Sequence, residues 1–149
     1  MDSSNAFANA APSAPAAGTA APCVAFVCTH NACRSQMAEA LARQLLPRGT
    51  QIFSAGTDPA DHVGGGTLQE LARRGVSAAG LHPKTLSRLP RVDWLVTMGC
   101  GVSCPSLPCA HREDWGLDDP MGGSPRSYRE CADAIAQHLR QLGKKIARA

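Results

Sequence analysis

The sequence predicts an α/β fold: a four-stranded parallel sheet flanked by helices on both faces. Three observations carry this. Short apolar runs at residues 23–28 and 92–98 lack alternation, as strands buried on both faces do. Segments with helical spacing separate the strand candidates. Gly and Pro punctuate the joins. Alternating strand and helix favours a parallel sheet, because each crossover returns the chain to the same end.

The elements follow in order. Residues 23–28 (C-V-A-F-V-C) form the first strand candidate. Residues 35–46 place Met37, Ala38, Leu41 and Leu45 at helical spacing, and Pro47 and Gly49 end the run. Residues 51–54 are a second strand candidate, followed by Ala55-Gly56. A turn at Gly64–Gly66 precedes an amphipathic helix over 67–74, stopped by Gly75. Residues 92–98 are the third strand. Residues 99–109 carry three cysteines and two prolines and read as a loop or a short, weak helix. A fourth short strand is expected around 114–117. The last helix is expected over 127–142, with Tyr128, Cys131, Ile135, Leu139 and Leu142 on its inner face.

The 149 residues suit one core. Residues 1–21, mostly Ala, Pro, Ser, Asn and Gly, are expected to form a flexible tail, with a single domain over 22–149. The tail lacks the basic start and continuous apolar stretch of a secretory signal. No apolar run approaches the ~20 residues that span a bilayer. A net charge of +3 does not call for nucleic acid or a membrane surface. The seven cysteines are an odd number without a secretory signal, which argues for a reducing, cytoplasmic setting. Cys23 and Cys131 are expected to be small buried hydrophobes.

The chemistry concentrates at Cys28-Thr29-His30-Asn31-Ala32-Cys33-Arg34-Ser35, which leaves a strand and opens a helix. Backbone amides of a tight loop, with the free amides of a helix start, form a concave anion site. The planar fork of Arg34 can hold two oxygens at once. The same field favours a thiolate at Cys28, aimed at the anion's central atom. Residues 29–35 are therefore the expected substrate-binding loop. Downstream stands Asp118-Asp119-Pro120, where the proline presses Asp119 towards an extended conformation and fixes its carboxylate as a candidate acid or base.

Together these segments resemble the low-molecular-weight protein tyrosine phosphatase superfamily from residue 23 to residue 142. The stretch from Cys28 through Ser35-Gln-Met-Ala-Glu39 is most similar to its arsenate reductase branch, and Ser54-Ala-Gly56 and Asp114-Trp-Gly-Leu-Asp-Asp-Pro120 match further signatures. The resemblance implies that Cys28 is the nucleophile, Arg34 clamps the oxyanion and Asp119 is the acid/base. Family phosphatases set aromatic residues beside the Asp-Pro; here Met121-Gly122-Gly123 follows, which favours a small inorganic anion over an aryl phosphate.

Arsenate reduction needs two electrons, more than one thiolate supplies. The thioredoxin-linked members use three cysteines in series, and the resemblance carries that relay onto Cys28, Cys100 and Cys104. A spacing of four on a helical turn brings two Cα atoms within disulfide range. Cys33 is expected to be a bystander, and Cys109 an additional thiol able to compete. No cofactor is expected. The expected partners are arsenate and thioredoxin or another thiol reductant, with the protein acting as a monomer. Some relatives hold a potassium ion near the loop with residues that match Asn31, Glu39 and Ser54; the resemblance sets His82-Pro-Lys84-Thr85 where their fourth ligand stands, so the Lys84 ammonium is expected to replace the cation and pair with Glu39, the alternative being a plain surface lysine. Two competing functions are a low-molecular-weight phosphatase and a thiol-based protein binding arsenite or zinc, the latter through Cys100, Cys104, Cys109 and His111.

Overall fold

A computed structural model describes residues 21–99 and 106–149. Cys100 and Cys104, and the tail except residue 21, lie outside the described residues. Four strands, β1 (Cys23–Cys28), β2 (Gln51–Gly56), β3 (Trp94–Thr97) and β4 (His111–Asp114), form one parallel sheet in the order β2-β1-β3-β4. The α-helices are α1 (Arg34–Leu45), α2 (Gly65–Arg73) and α3 (Pro125–Arg148), and a short 3-10 turn spans Leu86–Arg88.

β1 is central, paired with β2 on one side and β3 on the other, so both of its faces meet protein. That is why its sequence shows no alternation. Val24, Phe26 and Cys28 face the larger core, which also holds Met37, Leu41, Ile135 and Leu139 from α1 and α3. Cys23, Ala25 and Val27 face a smaller cluster with Leu95, Val92 and, at its edge, Leu86 and Leu89. Among the described residues, the three α-helices pack against one another on the first face, and the 3-10 turn and adjoining loops cover the second. No helix among the described residues is long and apolar enough to cross a membrane.

The fourth strand lies at His111–Asp114 rather than at 114–117. It is an edge strand, and its residues (H-R-E-D) are largely exposed, so it carries none of the apolar signal that marks an inner strand. The buried residue nearby, Trp115, comes just after it. α3 starts two residues earlier than expected, at Pro125 behind a Ser124 cap, and continues past Leu142 to Arg148. Gly143 lies inside the helix, one residue past its expected end. It lets α3 pass close to α1, because a Cβ there would stand 3.3 Å from the Leu45 carbonyl.

Candidate active site

The carboxyl ends of the strands deliver the site. β1 ends at Cys28, and α1 begins at Arg34, so residues 29–33 form the connecting loop. Asn31 takes a left-handed φ of 49°, which tightens the turn, and Asn tolerates that region better than most residues.

The loop's carbonyls are turned outward and occupied. Thr29 O accepts from Asp58 N at 2.8 Å, His30 O from Ala60 N at 2.9 Å and Ala32 O from Gly64 N at 2.9 Å. Asn31 O accepts from Gln36 Nε2 at 2.8 Å, and Cys33 O from Met37 N at 2.8 Å. A turn whose successive carbonyls face out presents its amides to the inside, the geometry of an anion cradle. Sequence reading missed the segment from Asp58 to Gly64 that performs this wrapping. It acts through backbone N–H groups, so it leaves no side-chain signature.

Gly56 explains the Ser54-Ala-Gly56 signature. A Cβ at Gly56 would stand 2.6 Å from Thr29 O and 3.0 Å from Asn31 Cβ. Only glycine lets the end of β2 lie this close beneath the loop.

The Cys28 sulfur lies 2.9 Å from Ser35 Oγ, and Ser35 Oγ accepts from Asn31 Nδ2 at 2.7 Å. Arg34 is nearly buried; its Nη1 donates to Met98 O at 2.6 Å and to Leu117 O at 2.8 Å. The guanidinium thus ties the end of β3 to the loop after β4. Its Nη2 lies 3.9 Å from Asp119 Oδ2. Asp119 Oδ1 accepts from Met121 N at 3.1 Å, an Asx-type turn that holds the carboxylate in place.

Cys28, Asn31, Arg34, Ser35 and Asp119 are therefore gathered at one edge of the sheet. Thr29 is half-buried, and Ala32 lies buried in the loop. His30 sits on the exposed rim, with Nδ1 2.9 Å from Asp58 O, so its ring braces the wrapping segment. Cys33 caps α1 and is buried; burial pushes its thiol up to about 12, against a hydrogen bond with Thr67. Burial likewise raises Cys131 to about 11 and Cys23 to about 12. Cys23, Cys28, Cys33, Cys109 and Cys131 are free thiols. The His111 ring stacks on Trp94 at 4.0 Å.

Lys84 does pair with Glu39: Nζ lies 3.6 Å from Oε1, and only 14% of the lysine side chain is exposed. Asp114 was not anticipated as a site residue. Its Oδ1 accepts from Thr97 Oγ1 at 2.8 Å and from Gly99 N at 2.7 Å, fixing the turn that enters the segment containing Cys100. Gly99 has a φ of +84°, and a Cβ there would stand 3.1 Å from Gly116 Cα, so the two loops touch backbone to backbone.

Comparison with known proteins agrees with this geometry. Residues 23–149 match the family model described as low molecular weight phosphotyrosine protein phosphatase. An arsenate reductase of Bacillus cereus is 31% identical over 124 residues, covering 80% of this chain and 92% of the relative. The structure of a thioredoxin-dependent arsenate reductase of Corynebacterium glutamicum superimposes with a TM-score of 0.70 at 33% identity; the match covers 87% of this chain and spans 64% of that one. The structure of an arsenate reductase in the phosphate binding state gives a TM-score of 0.76 at 29% identity over 84% of this chain and 98% of that one. The chain belongs to the low molecular weight phosphotyrosine protein phosphatase family and stands with that family's arsenate reductases.

Proposed function

We propose that the protein reduces arsenate to arsenite, with Cys28 as nucleophile and a cysteine relay that thioredoxin or another thiol reductant regenerates. The observation that carries this is the loop whose carbonyls are bonded away from it, with the Cys28 sulfur beside Ser35 and Arg34 opening the next helix, in a chain whose relatives bear that activity. A loop of this kind suits a tetrahedral oxyanion.

The walls of the site favour an inorganic substrate. Tyr128 is buried, with its ring against Gly66, and Trp94 and Trp115 are buried too. Met121, next along the chain from Asp119-Pro120, is exposed and not aromatic. The Tyr128 ring near Asp119 and Gly122 is itself buried, so it offers a phosphotyrosine ring little open face.

The reaction runs through sulfur. The Cys28 thiolate attacks arsenic, and a hydroxyl leaves as water with a proton from Asp119. A Cys28–arsenic adduct remains, its oxygens held by loop amides and Arg34. The Cys100 thiolate attacks the Cys28 sulfur. The electron pair of the S–As bond passes to arsenic, arsenite departs, and a Cys28–Cys100 disulfide forms. Cys104 attacks Cys100, freeing the Cys28 thiolate and leaving a Cys100–Cys104 disulfide. A dithiol reductant returns it to two thiols. The protein acts in the cytoplasm as a monomer.

One turnover with arsenate and no reductant, followed by thiol trapping and peptide mass spectrometry, tests this. A Cys100–Cys104 disulfide with one equivalent of arsenite is expected, and Cys28→Ser gives neither. An oxidised product that is Cys28–Cys33, or that joins Cys109 without Cys104, overturns the relay. Absence of arsenite with fast hydrolysis of p-nitrophenyl phosphate makes the protein a phosphatase instead.

A further inference from the structure

The glycine-rich turn that opens α2 and the chain's one tyrosine meet beside the Asp119 loop. Tyr128 stands on the first turn of α3, behind the Ser124 cap, and is buried. A Cβ at Gly66 would stand 2.3 Å from its Cζ, 2.5 Å from Cε2 and 2.8 Å from Cε1. The phenol end of the ring therefore rests on the Gly66 backbone, an approach that only glycine permits. The same turn of α2 holds the nucleophile loop: Ala32 O accepts from Gly64 N at 2.9 Å and from Thr67 Oγ1 at 3.2 Å. One turn of helix thus touches both the loop after β1 and the tyrosine.

From there the tyrosine reaches the Asp119 loop. Burial pushes its phenol above the ordinary value, with Cys33 and Asp119 adding to the effect and the Gly122 amide, which donates to the phenol oxygen, opposing it. A backbone amide only donates, so the direction of that bond is fixed. Gly122 has a φ of +81°, Gly123 N donates to Pro120 O at 2.8 Å, and Met121 N donates to Asp119 Oδ1 at 3.1 Å. Residues 119–123 are thus tied to one another as a single turn. Asp119 Oδ2 lies 3.9 Å from Arg34 Nη2, too far for a hydrogen bond, so the carboxylate is aimed by its turn. Arg34 holds the chain before that turn, at Leu117 O, and Tyr128 holds it from within, at Gly122 N. Beyond the ring a cleft of about 380 Å³, bordered by Gln69, Arg73, Gly122 and Gly123, separates α2 from the turn and leaves it room to swing.

We propose that Tyr128 is a positioning residue for Asp119: seated on Gly66, its phenol oxygen holds the Gly122 amide and so keeps the Asp119 carboxyl turned towards the anion cradle. This rests on the reading of Asp119 as the proton donor. The first turn of α2 is then the common reference for both halves of the chemistry. Gly64 and Thr67 fix the nucleophile loop to it, and Gly66 fixes the acid's turn to it through Tyr128. The run of glycines has a purpose that its sequence does not reveal, because its partner is a ring more than sixty residues downstream. A change at the phenol hydroxyl leaves Cys28, Ser35 and Arg34 with their own contacts, since none of those contacts passes through Tyr128.

The test is Tyr128→Phe in the full chain, which keeps the ring on Gly66 and removes the hydroxyl. Solvent exchange of the Gly122 amide, followed by NMR, is expected to quicken about 10-fold once its acceptor is gone. In single turnovers with arsenate, the rate of arsenite formation at saturation is expected to fall about 10-fold, the scale of a displaced acid, while the half-saturating arsenate concentration stays unchanged. Asp119→Asn loses more, and adding Tyr128→Phe to it lowers the rate no further, because both act through one carboxyl. A folded Tyr128→Phe protein with the wild-type rate, unchanged exchange at Gly122, or losses that multiply in the double variant overturns the proposal. If Tyr128→Phe does not fold, Gly66→Ala, whose methyl displaces the ring, takes its place in the same cycle, and a wild-type rate there overturns it. A wild-type rate in Asp119→Asn removes Asp119 as the acid and the proposal with it, whereas an impaired Asp119→Asn beside an unimpaired Tyr128→Phe removes the proposal alone. If the wild type forms no arsenite, the cycle is read on phenyl phosphate hydrolysis, whose leaving oxygen needs the same proton, and the same outcomes decide.

Discussion

Cys33 shares its loop with Cys28, yet burial pushes its thiol up to about 12, and Cys131 and Cys23 are raised to about 11 and 12 for the same reason. Thiols react as thiolates, so these three are inert at neutral pH. Native protein treated with a small alkylating agent at pH 7 is expected to keep all three unmodified, and denatured protein to lose all three; peptide mapping reads the difference. Gly56 carries a sharper demand. In Gly56→Ala the new Cβ meets the Thr29 carbonyl at 2.6 Å, and the loop must give way. A loss of about 1–3 kcal/mol in urea unfolding is expected, the usual cost of overpacking, with a larger proportional loss of activity. Cys28, Arg34 and Asp119 stood out in the sequence because their side chains are the reactive ones of their motifs, and the fold brings them to one edge of the sheet. Gly56 was visible only as part of a signature, and its reason needed the distance to Thr29.

The elements were legible in proportion to how deeply they are buried. β1 announced itself by an unbroken apolar run and β3 by a mostly apolar one, because both of their faces are covered. β4 did not: as an exposed edge it needs charge more than apolar side chains, and the sequence signal moved to the buried Trp115 beyond it. The polar part of the contact between α2 and α3 was not legible, since it rests on charged side chains that read as surface. Glu70 is buried and accepts from Arg73 and Arg74, and Arg74 bonds onward to Asp133 on α3. The hydrogen bond from Arg73 leads in holding the Glu70 carboxyl below its ordinary 4.5, with burial opposing and Arg74 adding to the effect. A lowered carboxyl stabilises the fold above about 4.5 and loses that contribution as pH falls through its folded value. Glu70→Gln is therefore expected to be less stable than wild type at pH 7 by about 1–2 kcal/mol, the scale of a charged hydrogen bond. The gap closes towards pH 3, as urea titrations at both pH values would show.

At the scale of the molecule, the strand order decides what meets what. β1 and β3 are neighbours, so Cys28 ends beside Met98 and Gly99, where the chain turns towards Cys100. Arg34 spans the join through Met98 O and Leu117 O. An oxyanion bound in the loop is expected to stabilise the native state by about 2.7 kcal/mol at a hundred times its dissociation constant, seen as a rise in Tm with arsenate or phosphate. In Arg34→Lys, which lacks the fork and cannot hold both carbonyls and an anion, most of that rise is expected to vanish. The parallel sheet was legible from the alternation of elements, whereas the joins were not, because backbone carbonyls make them.

The backbone contact between Gly99 and Gly116 leads somewhere else. Trp115 immediately precedes Gly116, with its ring 5.7 Å from Phe26 and stacked on His138 at 4.8 Å. The indole therefore sits one residue from the point where the Gly99 backbone meets Gly116. If the proposed relay operates, the indole is a built-in light-emitting gauge: a change in intrinsic fluorescence is expected on oxidation by arsenate, and a stopped-flow trace would time it without a dye.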